Sequence, residues 1–238
     1  MSRTLIVAHR GANREAMENT RAAFEKALDY PIDGIETDIQ LSRDEIPVLW
    51  HDDDLDKLGL PAKHIDDFDH AQLREMGVMS LRDFTIAYHA RCNLLLEIKK
   101  YPGEPTPRQQ SKIRKTLEFV GASTDDRILV SSFDLESLIH AHGIAPQQNL
   151  VLNLEPEQGV GFTKRALSEH PFLHGVCVYI STLDEAMVDV VRERDKFLAV
   201  YTCNSDEEIR RALTFAVDVL ISDVPQKALM MRDELRNG

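Results

Sequence analysis

The chain has 238 residues, of which 43% are hydrophobic and 29% charged, and a net charge of -12. This is the mixture of an ordinary globular protein with one large core, and no apolar run approaches the ~20 residues needed to span a bilayer. The acidic balance argues against a nucleic-acid partner, whose phosphates require Lys and Arg, but a small anionic substrate stays open because a local site can oppose the global field.

The N-terminus enters a strand-like run at residues 4–8 with no apolar stretch and small-residue cleavage site before it. The expectation is therefore a cytoplasmic protein without stable membrane insertion. Further strand-like runs follow at 34–41, 93–98, 128–132, 149–153, 176–179, 198–202 and 219–222, and a short one at 47–50 reads as a continuation of the second after a turn at 42–45. Helical patterns lie between them at 19–28, 80–89, 107–120, 135–142, 162–168, 183–194, 205–215 and 225–235, with apolar positions recurring at three and four. In the first of these, Asn19 or a neighbour is placed to cap the helix, and Phe24, Ala27 and Leu28 share a face.

Most of the strand runs are almost continuously apolar, which suits parallel strands buried on both faces. Eight strand–helix units in a chain of this size predict an α/β protein, a (β/α)8 TIM barrel. The competing layout is an open doubly wound sheet, disfavoured because no Gly-rich phosphate turn follows the first strand. We read residues 1–238 as one domain with a short insertion at about 52–79, polar and holding one weak helix at 69–76. Cys92, Cys177 and Cys203 form no CxxC pair, so they read as buried free thiols rather than a zinc or redox motif.

Chemistry concentrates where strands should end. Glu36 and Asp38 are two apart, so both side chains face one way. In a barrel that way is inward, at the C-terminal mouth where such enzymes work. Two inward carboxylates repel unless a cation holds them; the plain alternative is a surface-facing pair on an edge strand. Glu97 and Lys99 repeat the spacing, adding a third carboxylate and a point charge for phosphate, or else a structural ion pair. His9 and Arg10 end the first strand ahead of Gly11, and they share the mouth only if the strand stops there. His51 ends the 47–50 run and precedes Asp52. The other seven histidines fall in loops or helices and read as structural.

Charge arithmetic then links these residues. Glu36, Asp38 and Glu97 against Arg10 and Lys99 leave the mouth at about -1, which repels a phosphodiester, and one divalent cation makes it about +1. Carboxylate oxygens without thiolates suit Mg2+ or Ca2+.

With these motifs the chain resembles the glycerophosphodiester phosphodiesterase family. The resemblance runs through HRG at 9–11, ENT with AAF and AL at 18–28, GIETDIQLSRDEIPVLWHDDDL at 34–55 and LEIK at 96–99. Weaker matches follow in order: SSF at 131–133, Tyr201–Asn204 and VLISDVP at 219–225. It implies a TIM barrel that cleaves glycerophosphodiesters to an alcohol and glycerol 3-phosphate with one divalent cation. By motif, His9 and His51 look like the acid–base pair, and Glu36, Asp38 and Glu97 like the cation ligands. Arg10 and Lys99 look like phosphate binders, and Glu18 like a supporting residue. The resemblance also implies attack by the glycerol 2-hydroxyl through a cyclic phosphate, while the residues themselves leave direct attack by water open.

Three departures stand out. Met17 precedes ENT where Pro is common, Tyr201 stands where Trp is usual, and Asp56-Lys57-Leu58 replaces an Arg-Thr-Thr run. Two other readings remain. A lysophospholipase D-type activity on the same scaffold needs an apolar groove, for which Phe133, Phe162, Tyr179 and Tyr201 are candidates. A non-catalytic barrel that binds phosphorylated ligands would have lost motif positions that are present here.

Overall fold

The computed structural model describes residues 3–120 and 127–237. Its centre is a ring of eight parallel strands: β1 (Leu5–His9), β2 (Gly34–Leu41), β4 (Asn93–Ile98), β5 (Ile128–Ser132), β6 (Asn149–Asn153), β7 (Gly175–Tyr179), β8 (Phe197–Tyr201) and β9 (Val219–Ser222). β1 pairs with β2 on one side and with β9 on the other, so the sheet closes and the open layout is excluded. A ninth strand, β3 (Pro47–Leu49), runs antiparallel to the upper end of β2.

Closure makes the two-residue period of a strand into layers. Val7, Leu95, Val151, Cys177, Ala199, Val219 and Ile221 fill the interior. The next residue of the same parity along the strands gives His9, Glu97, Asn153, Tyr201 and Asp223. The apolar plug therefore hands over to polar groups within one pleat, and that handover positions the site. Register completes it, setting His9 beside Glu36, Asp38 beside Glu97, and Glu97 beside Ser131.

The outer faces of the strands are covered by α1 (Arg21–Leu28), α3 (Leu81–Tyr88), α4 (Thr106–Val120), α5 (Leu135–Ile144), α6 (Val160–Glu169), α7 (Glu185–Arg192), α8 (Asp206–Thr214) and α9 (Pro225–Asn237). Phe24 of α1 meets Phe84 and Tyr88 of α3 with ring centroids 4.7 and 5.4 Å apart, contacts worth about 0.5–1.5 kcal/mol each beyond their burial. The cap of α1 is Thr20, whose side chain accepts from the Ala23 N–H at 3.3 Å. Asn19 lies outside the helix at φ 56°, free to bond elsewhere.

The segment after β3 holds the helix expected at 69–76 and more order besides than its polar composition suggested. It contains two 3-10 turns, Asp56–Leu58 and Ile65–Asp67, and a short helix α2 (His70–Glu75). Leu55, Ile65, Leu73 and Val78 pack with Val48 and Trp50 into a small core of their own. These apolar residues are too sparse to show a period, and they converge only through turns. Cys92, Cys177 and Cys203 are free and buried. No described helix is long and apolar enough to cross a membrane.

Candidate active site

β1 stops at His9, and Arg10 has φ 57°, so successive side chains reach the same mouth instead of opposite faces. Gly11 follows at φ 84°, and a Cβ there would lie 2.7 Å from the backbone of Ala23. The turn needs glycine on both grounds.

Glu36 and Asp38 are buried, at 4% and 1% exposure. Oxygens of Glu36, Asp38 and Glu97 all lie within 4.8 Å of one another. Two cations flank Asp38, with Arg10 Nε at 3.2 Å and Lys99 Nζ at 3.6 Å, and Lys99 also meets Glu97 at 2.8 Å. The Glu97–Lys99 ion pair is thus real and forms part of the mouth. Burial would raise the Asp38 carboxyl, but Arg10 and Lys99 outweigh it and hold it down to about 2. Burial, then the charges of Asp38 and Glu97, push Glu36 well above the usual carboxylate range against the pull of Arg10 and Lys99. Three carboxylates this close, with burial and mutual repulsion disfavouring the charge on Glu36, fit a cation, which would relieve the repulsion. All-oxygen donors match a hard divalent ion.

Each of the two candidate histidines is held by an aspartate. His9 Nδ1 donates to Asp223 at 2.6 Å, and His51 Nδ1 donates to Asp52 at 2.8 Å. With Nδ1 engaged, Nε2 of each ring is left to act. His9 Nε2 lies 3.9 Å from Glu36. Asp223 also accepts from Asn13 (2.7 Å), Arg14 (3.0 Å) and Asn204 (2.9 Å). Burial alone would raise the Asp223 carboxyl, but the His9 and Asn13 hydrogen bonds and the His9 and Arg14 charges take it well below its ordinary range. The turn bearing His51 is pinned from below. Tyr101 donates to the His51 carbonyl, and Gln40 Nε2 donates to the Asp52 carbonyl at 2.6 Å and to the Tyr101 hydroxyl at 2.8 Å.

Glu18 joins the two halves. It accepts from Arg10 at 3.1 Å and from Lys57 at 2.7 Å, and Lys57 reaches on to Asp52 at 2.7 Å. Lys57 occupies the departure at 56–58. Thus all eight residues singled out in the sequence (His9, Arg10, Glu18, Glu36, Asp38, His51, Glu97 and Lys99) converge on one mouth. Of the four apolar candidates, Phe133, Tyr179 and Tyr201 cluster there at 5.6–5.7 Å, whereas Phe162 packs against the outer core.

The sequence pointed to no part in the site for Asp223, Gln40, Tyr101 or Asn153, and offered Asn19 only as a helix cap. Asn19 donates to Asp38 at 2.9 Å and accepts from Thr37 at 2.7 Å. Asp223 and Asn153 were findable: each is the polar residue two beyond an inward apolar one, as His9 is. Gln40 follows Asp38 at the same parity on β2 and was findable in the same way, whereas Tyr101 reaches the site from the loop after β4 and left no such signal.

Residues 9–227 match the sequence model of the Glycerophosphoryl diester phosphodiesterase family. A glycerophosphodiester phosphodiesterase of Bacillus altitudinis is 28% identical over 98% of this chain and 100% of its own length. One from Caldanaerobacter subterraneus subsp. tengcongensis is 25% identical over 94% and 96%. Among solved structures, an Oleispira antarctica phosphodiesterase in complex with the product sn-glycerol-3-phosphate superposes with a TM-score of 0.81 at 25% identity, covering 96% of each chain. Glycerophosphodiester phosphodiesterase from Thermotoga maritima superposes with a TM-score of 0.81 at 22% identity, covering 97% of this chain and 99% of that one. The match spans both histidine motifs and the strands that carry the carboxylates, and on it the chain belongs to the glycerophosphoryl diester phosphodiesterase family.

Proposed function

We propose that this protein hydrolyses glycerophosphodiesters to an alcohol and glycerol 3-phosphate, with His9 and His51 as acid and base and one divalent cation held by Glu36, Asp38 and Glu97. The observation that carries this is the pairing of two histidines, each oriented by its own aspartate, on one mouth with three clustered carboxylates. A metal-free mouth has no attraction for a phosphodiester, since its three carboxylates outnumber Arg10 and Lys99. When bound, the cation would draw charge from the phosphoryl oxygens.

The chain's own groups divide the rest of the work. Arg10 and Lys99 lie on either side of Asp38 and supply positive charge to the phosphate. His9 sits deep, in a narrow cavity of about 30 Å3 shared with Glu36 and Glu97. His51 opens on a cavity of about 540 Å3 lined also by Lys100, Tyr101, Phe133 and Glu155. Room for a variable alcohol lies on the His51 side, so His51 is the acid that protonates the leaving alcohol. His9 is then the base that takes a proton from the attacking hydroxyl, whether of glycerol or of water. Asp223 and Asp52 fix the tautomers and stabilise whichever ring is charged.

The test is release of glycerol 3-phosphate from glycerophosphocholine and glycerophosphoethanolamine after EDTA treatment, then with Mg2+ or Ca2+ restored. Product that returns only with the ion supports the reading. Folded protein that yields none with either ion shifts it to lysophospholipids, for which the Phe133–Tyr201–Tyr179 cluster is the supporting feature. The pH–rate profile should be bell-shaped, because the two rings must hold opposite protonation states. A profile flat from about pH 5 to 9 with chemistry limiting would remove the pair.

A further inference from the structure

We infer that Asn153 supplies a fourth, neutral oxygen to the cation held by Glu36, Asp38 and Glu97. This rests on the proposed cation-dependent reading and adds to it a residue that no motif marks. Asn153 ends β6 at 5% exposure, with Val151 of the same parity in the apolar plug beneath it. It lines the cavity that also holds His9, Glu36 and Glu97. Its amide nitrogen is accounted for, donating to Glu97 Oε2 and to Ser131 Oγ, each at 3.3 Å.

The amide oxygen is not. Asn153 Oδ1 is shut off from solvent and meets no protein donor; of the side-chain oxygens so placed among the described residues, it is the one whose residue shares a cavity with Glu36 and Glu97. The orientation is not arbitrary, because a carboxylate can only accept and so the –NH2 must face Glu97. With the –NH2 turned to Glu97 and Ser131, Oδ1 is left without a protein partner on a residue that lines the same cavity as Glu36 and Glu97.

Charge explains why the group is an amide. A fourth carboxylate would take the mouth to about -2, and a divalent cation would then only neutralise it. An amide adds a hard oxygen donor and leaves the loaded site positive toward phosphate. The alternative use of Oδ1, accepting from a substrate hydroxyl, predicts a different variant behaviour.

The experiment is calorimetric titration of Ca2+ and of Mg2+ into wild type, Asn153→Leu, Asn153→Ala and Asn153→Asp without substrate, after thermal melts in EDTA to establish folding. Loss of the oxygen in Asn153→Leu and Asn153→Ala should weaken cation binding about tenfold or more. Asn153→Asp, which keeps an oxygen and adds charge, should bind as tightly as wild type or more so while losing turnover. Wild-type affinity in both Leu and Ala variants overturns the inference, and a rise in KM alone assigns Oδ1 to the substrate. Weakening in Asn153→Asp equal to that in Asn153→Leu also overturns it, since the amide N–H would then be what matters. If Asn153→Leu does not fold, the Ala variant decides. A wild type that binds neither ion removes the cation-dependent reading itself, an outcome distinct from the failure of Asn153 alone.

Discussion

The two histidine stations are built alike at the ring and differently behind it. His9 belongs to a barrel strand, and its aspartate follows the neighbouring strand β9, where His9, Asn13, Arg14 and Asn204 all donate to it. His51 sits on the turn after β3, its aspartate is the next residue along the chain, and among the described residues only Lys57 supports that carboxylate further. Side-chain exposure follows suit, with Asp223 at 13% and Asp52 at 31%. Under the proposed roles, a deep base held by the barrel and an outer acid held by a loop concentrate precision where the nucleophile is activated, and leave the outer station freer to meet alcohols of different shape.

The bluntest way to break this comparison is to remove the rings. His9→Ala and His51→Ala should each lower kcat by about 10²–10⁴-fold, read as glycerol 3-phosphate release under saturating cation. The two should part on an activated leaving group such as a p-nitrophenyl phosphodiester, which needs little protonation. His51→Ala should recover most of its rate there and His9→Ala should not. Equal recovery by both variants, or by neither, would undo the assignment of acid and base.

The aspartates sharpen the contrast. Asp223→Asn should cost about 100-fold in activity and Asp52→Asn about tenfold, the two ends of the range for groups that orient a working histidine. Equal losses would mean that the extra donors around Asp223 carry no catalytic weight. Asp223 also gives a stability test with a defined sign. Its carboxyl is held below the ordinary 3.8 in the folded state, so its contribution is complete above that value and disappears as pH falls through the folded one. Wild type should therefore be more stable than Asp223→Asn by roughly 2 kcal/mol near neutral pH, with the gap closing below about pH 4. Urea melts at pH 7 and pH 3 measure this, and a gap that widens on acidification contradicts it.

What the sequence made legible follows the same divide. Apolar runs ending in ionisable residues exposed the strands and the inward parity of Glu36, Asp38, Glu97 and Lys99, because period two survives folding unchanged. The ring that closes β1 onto β9 followed from counting units. Groups that reach the site by turning were harder. Asn19 looked like a cap and instead steps aside at positive φ to bond Asp38, leaving Thr20 to cap. Tyr101 reaches the His51 turn through a contact 50 residues apart in sequence, which no local period encodes. The small core after β3 was hidden for the same reason: its apolar residues are gathered by 3-10 turns and a short helix, so no single repeat runs through them.

Lys57 is the finest test of the comparison, because its side chain ties the carboxylate behind His51 to the one that holds Arg10, the residue after His9. It bridges Glu18, which holds Arg10, and Asp52, which holds His51, at 2.7 Å each. Burial would lower its ammonium, and the two carboxylates more than compensate. Its side chain is nevertheless 41% exposed, and ion pairs so placed are worth only about 0–1 kcal/mol. Lys57→Met should therefore change kcat/KM by no more than about fivefold, with the loss shrinking as salt is raised and the bridge is screened in wild type too. The change should show on substrates with a poor leaving alcohol, where the orientation of His51 counts, and vanish on activated ones. A loss near that of His51→Ala would mean that the outer station is as rigidly built as the inner one, with Lys57 doing for Asp52 what the barrel does for Asp223.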